Sequence, residues 1–177
     1  MLPPDQDSKT KKLEEAAEHL FNYAIERDDL KQIVTQLPED KALRKVTVEY
    51  ELQLLKIISV GWAIAFFMAQ HPLKSSLTEA FWRQIQSLSQ SISGATSASI
   101  GKDVDYFSII KQRLDLYVNA LQHFAEAPDT ARVIGVTFAK LCGSEADSYI
   151  TLAGKRTFSL TSASVKNYIE TLQLAEA

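Results

Sequence analysis

The stretch Leu52–Ala69, LQLLKIISVGWAIAFFMA, decides how this chain is read, because Lys56 is its only charged residue. If it spans a bilayer the protein is membrane-bound; if other helices surround it, it is the core of a compact domain. A spanning helix needs ~20 predominantly apolar residues, and a run of 10 to 14 is more often a buried core helix. The uncharged run after Lys56, Ile57 to Gln70, falls at that boundary. The flanking sequence decides it. Every other helical segment carries an amphipathic stripe that needs an internal partner, and this segment is the natural centre for them. Lys56 then marks the point where a half-exposed helix becomes enclosed.

Outward from this segment the stripes recur at helical spacing. Leu13, Ala16, Ala17, Leu20 and Ala24 form one, and Leu30, Ile33, Val34 and Leu37 continue it out of phase, which predicts a break near Asp28. Pro38 suits a first helical turn, and Glu39 and Asp40 complement the positive end of the macrodipole there. The central helix is therefore expected from about Pro38 to just before Pro72. Ser76-Leu-Thr-Glu79 has the form of a capping box and opens a helix carrying Phe81, Ile85, Leu88 and Ile92, fading at Gly94. Serines and glycines crowd the next residues, so a mobile connection is expected at about 93–102.

A further helix carries Val104, Phe107, Ile110, Leu114, Tyr117 and Leu121. Another, capped by Asp129 or Thr130, runs to Gly143; one opens at Ser144–Asp147, and a last is capped by Ser162. No segment alternates with period two between turn pairs, so no sheet is expected. The fold class is all-α: a single domain over 8–177, a bundle or orthogonal array of six to seven helices around the central one, behind a flexible lead of residues 1–7.

A chain of 177 residues suffices for one core. Its 22 acidic and 19 basic residues form no clustered basic face, which argues against nucleic acid as a partner. Cys142 is the only cysteine, so no internal disulfide exists, and the N-terminus lacks the apolar core of a signal peptide. A reducing, cytoplasmic location is expected.

Candidate chemistry fails residue by residue. Gly94 to Asp103 is not a phosphate loop: six residues separate the glycines instead of four, Asp103 stands where Ser or Thr is needed, and no strand precedes it. A carboxylate-bridged metal pair needs Glu three residues before His, whereas Ala16, Met68 and Ala120 precede His19, His71 and His123. Cys142 sits where a helix ends, near the negative end of the macrodipole, which disfavours a thiolate. Glu49 and Glu51 point to different faces and cannot act together as acid and base. A recognition helix opening with Glu145 and Asp147 has the wrong sign for DNA.

No metal or cofactor is expected. Two functional expectations remain. The first is a helical protein-interaction or regulatory module, self-associating through an apolar face and without catalysis. The second is a bundle holding a small apolar ligand or tetrapyrrole beside the central helix, where Trp62, Phe66, Trp82 and His123 would line the pocket.

Overall fold

The structure, a computed structural model, describes residues 4–38, 42–124 and 129–172, with side chains from Ser8 and, after the first gap, from Arg44. Among them are seven helices and no strands: α1 (Pro4–Ile25), α2 (Asp28–Thr35), α3 (Ala42–Phe67), α4 (Lys74–Ile100), α5 (Tyr106–His123), α6 (Thr130–Leu141) and α7 (Ser148–Thr171). The all-α architecture expected from the stripes is the one observed. Of the expected lead, residues 1–3 lie outside the described residues, and α1 already includes Pro4. The central helix is expected from about Pro38, but Pro38 itself is not helical; residues 39–41 lie outside the described residues, and α3 is described from Ala42.

Helix α3 packs against each of the other six. Residues 51–61 are buried without a gap, which explains why the sequence there shows no stripe: a helix enclosed on all sides has no face to leave polar. By length and composition, Arg44–Phe67 could cross a membrane, but 72% of its apolar window is buried among the other helices. It is the core helix of the bundle.

Lys56 corrects the sequence reading. It does not mark the edge of the enclosed region but sits inside it, with no exposed surface. The reason lies in the break between α1 and α2. A broken helix leaves carbonyls without amide partners, and side chains from α3 supply them. Gln53 donates to the Ala24 carbonyl at 2.8 Å, and Lys56 Nζ donates to the Glu26 carbonyl and to Asp29 Oδ1, each at 2.9 Å. The Tyr23 ring lies 4.5 Å from the same ammonium. The predicted break near Asp28 and the lysine in the apolar run are thus two halves of one feature.

Three predicted boundaries are also corrected. Helix α4 does not fade at Gly94 but runs to Ile100, through most of the connection expected at 93–102. Its serines remain helical by donating to carbonyls one turn back, Ser89 to Ile85, Ser91 to Ser87 and Ser93 to Ser89. Gly101, at φ +64°, takes the left-handed conformation that ends the helix. Ser76 does not cap α4, which begins two residues earlier, after Leu73. Ser162 caps nothing: it is buried midway along α7, so the two helices expected after Ser144 are one. The predicted cap Asp129 does hold, and within the pattern Ser144–Asp147 it is Asp147 that caps α7; each accepts from backbone amides of the helix it starts.

Candidate functional site

The four residues expected to line an apolar pocket do not assemble. Trp62 and Phe66 are one turn apart on α3 and stack on each other, with ring centroids 4.7 Å apart; Phe158 from α7 leans on Trp62 at 5.1 Å. Trp82, on α4, instead covers Gly61, where a Cβ would lie 2.4 Å from its ring. His123 is exposed at the last turn of α5, against Phe124. Helix α5 meets α3 near the other end of the long helix, through Tyr106 on Tyr50 and Arg113 on Glu51. Glu51 precedes Trp62 by eleven residues, about 16 Å of helix.

Three concavities lie elsewhere among the described residues. One of about 580 Å³ surrounds the turn between α6 and α7, beside Arg44, Ser144 and Glu145. Another of about 650 Å³ runs between the distal half of α4 and the start of α5, lined by Gln90, Ser93, Ser97, Asp103 and Lys111. A third, of about 60 Å³, is a notch between α2 and α7. None of these is lined by Trp62, Phe66, Trp82 or His123.

The densest titratable cluster was missed by sequence reasoning. Glu51 from α3 is buried, and Arg113 from α5 grips both its oxygens, Nε to Oε2 at 2.9 Å and Nη2 to Oε1 at 2.8 Å. Around the pair stand Tyr117 and Cys142. Burial pushes the Tyr117 hydroxyl well above its usual range, with the Glu51 charge adding to it. Burial likewise pushes the Cys142 thiol up to about 12, again with help from Glu51. A thiolate is thus disfavoured, as expected from the sequence, but chiefly by burial and not by the helix dipole. Both Glu51 oxygens are engaged by Arg113, and the residue is buried. This cluster ties α5 to the core. The signal for it in the sequence was a glutamate inside an otherwise buried register and an arginine on the apolar stripe of α5.

Lys155 and Arg156 stand midway along α7. Lys155 pairs with Asp129 at 2.7 Å, and Arg156 donates to Gln36, just past the end of α2, at 3.1 Å.

The outer face of α7 is the most unusual surface. Its inner face is core: Ile150, Ala153, Phe158 and Val165 are buried, and Gly154 lets the Phe138 ring of α6 press against the backbone. The opposite face presents Tyr149, Leu152 and Leu160, which are 56%, 59% and 53% exposed. Arg156 stands between them, with Ala163 and Asn167 beyond. Spacings of three and four keep these residues on one side of a helix. The exposed face of α1 is the contrast, with Lys9, Lys11, Lys12, Glu14, Glu15 and Glu18 facing water.

Among the described residues no three His, Cys, Asp or Glu side chains gather as metal ligands would. Comparison with protein-family models, curated proteins and solved structures gives no match to this chain.

Proposed function

We propose that the protein is a helical interaction module of a reducing, cytoplasmic compartment that associates with a second copy of itself through the outer face of α7, without a catalytic role. One observation carries the reading: Tyr149, Leu152 and Leu160 line one side of a helix whose other side is fully packed. Large apolar residues scattered singly on a surface need no explanation, but a row of them on one helix face marks a contact site. The absence of catalysis is supported by the only buried carboxylate with a cationic partner among the described residues, Glu51, being closed on itself by Arg113.

Sedimentation velocity over a hundredfold range of concentration tests the reading. The wild-type protein is expected to shift toward a dimer as concentration rises, and Leu152→Asp to remain monomeric over the same range. A wild-type protein that sediments as a monomer throughout refutes it.

A further inference from the structure

The chain bends between α1 and α2 without any residue that compels it to. No glycine or proline stands between Pro4 and Pro38, and the linking residues, Glu26 and Arg27, both suit a helix interior. Arg27 keeps a backbone close to helical, at φ −118° and ψ −3°. Asp28 and Asp29 favour a helix start, but neither prevents a helix from running through them. What holds the bend is α3. Gln53 and Lys56 donate to the carbonyls of Ala24 and Glu26, and Glu49 pairs with Arg27 at 2.7 Å.

Without those contacts the link can satisfy its own backbone groups as one helix running from α1 through α2. The stripes of the two are out of phase, Leu13 to Ala24 against Leu30 to Leu37, by roughly a quarter of a turn. A straight helix therefore cannot lay Leu20 and Ala24 on the core and also seat Leu30, Ile33 and Val34 on α3 of the same chain.

We infer that the Glu26–Arg27 link is a hinge for exchange: in its straight form α2 leaves its own chain and seats on α3 and α7 of a second copy, whose α2 takes the vacated place in return. The seat fits this occupant because α2 fills it in the bent form, packed on α3 and α7, and every copy carries the same seat. Exchange of one element between identical chains is a low-cost route to a dimer, and a short hinge favours it. Lys56 is the latch that opposes it. In the exchanged form its ammonium meets Asp29 of the second copy but loses the Glu26 carbonyl, which the straight helix bonds internally. This exchange goes beyond the contact proposed for the outer face of α7 and does not depend on it.

Arg27 is half-exposed, so changes there act on the hinge and leave the core intact. Arg27→Ala and Arg27→Gly both lose the pair with Glu49 and differ chiefly in helix propensity. Full-length chains are unfolded in urea, refolded at high concentration, diluted, and separated by size exclusion. An exchanged dimer is expected to persist on dilution, because α2 must leave its seat before the chains part. Its association constant is expected to be about 25-fold higher for Arg27→Ala than for Arg27→Gly, about fivefold for each of two hinges. Lys56→Met is expected to raise the dimer above the wild-type level, with circular dichroism confirming its fold. Leu160→Asp, which lies on the α7 face but outside the residues that meet α2, should leave the persistent dimer unchanged.

Spin labels at Lys11→Cys and Gln32→Cys, both exposed, on a Cys142→Ala background and diluted with unlabelled chain, read the hinge itself. The distance within a chain should lengthen from monomer to dimer, toward the length of straight helix between the two sites, about 31 Å. Equal dimer levels for Arg27→Ala and Arg27→Gly, no persistent dimer in either, loss of it with Leu160→Asp, or a distance equal to that in the monomer overturns the exchange and leaves the α7 contact standing.

Discussion

Replacing Arg113 by methionine removes one half of the Glu51–Arg113 pair and leaves the other half where water cannot reach it. Glu51 is 4% exposed, and both its oxygens accept from the guanidinium at 2.8 and 2.9 Å. Breaking a buried pair from one side costs about 3–5 kcal/mol, because an uncompensated charge remains. Arg113 keeps 23% of its side chain exposed, so the lower end, about 3 kcal/mol, is expected. For a chain of this length that corresponds to a fall in Tm of about 8 °C.

The double variant Glu51→Leu with Arg113→Met removes both charges and should cost only about 1 kcal/mol, since apolar replacement of a whole buried pair is often neutral. Urea unfolding of wild type, both single variants and the double variant closes the cycle. A coupling energy of about 2 kcal/mol or more is expected. Arg113→Met costing less than 1 kcal/mol, or single effects that simply add, would refute the claim that this pair ties α5 to the core.

Three further outcomes follow from packing and charge. The Cys142 thiol, pushed up to about 12 from 9.0, should react with iodoacetamide at pH 8 about 1,000-fold more slowly folded than in urea, in proportion to its thiolate fraction; equal rates contradict its burial. Gly154→Ala would put a methyl 2.6 Å from the Phe138 ring and should destabilise by about 1–3 kcal/mol. Gly94→Ala meets nothing within 4 Å and should stabilise by up to about 1 kcal/mol, a difference in sign that thermal unfolding resolves. Asp129 is held below the usual 3.8 chiefly by the hydrogen bond from Lys155. A lowered folded pKa contributes stability above the unfolded value that is lost as pH falls through the folded one, so Asp129→Asn should flatten the stability profile only below about pH 4.

Much of this fold is written in the sequence as periodicity. The stripes of α1, α2 and α5 name the faces that are buried, and the apolar segment around Lys56 announces a helix that is enclosed on all sides over residues 51–61. Stops were less legible. A serine-rich segment resembles a connection, yet Ser89, Ser91 and Ser93 satisfy their hydroxyls within the helix they stand on. Ser162 has the composition of a cap, but tertiary burial against the core carries α7 through it.

The candidate site was harder to find for the same reason. Trp62, Phe66, Trp82 and His123 stood out by residue type, whereas the separation of His123 from the other three depends on where α5 crosses α3, a crossing pinned by Glu51 and Arg113, sixty-two residues apart in the chain. The outer face of α7 escaped notice because Tyr149 and Leu152 also belong to the stretch whose other residues, Ile150 and Ala153, form the core. One helix carrying two apolar faces gives no clear stripe, and only the packed structure separates the inward from the outward set.

Hydrogen exchange measured at low and high protein concentration tests the central claim most directly, because it locates a contact without altering the chain. The account predicts that added protection at high concentration is confined to α7 and the adjoining end of α2, with the aromatic group at Trp62 and Phe66 unchanged. Protection that appears instead around residues 62–67, or along α4 or α5, would contradict the assignment of the interaction face to α7.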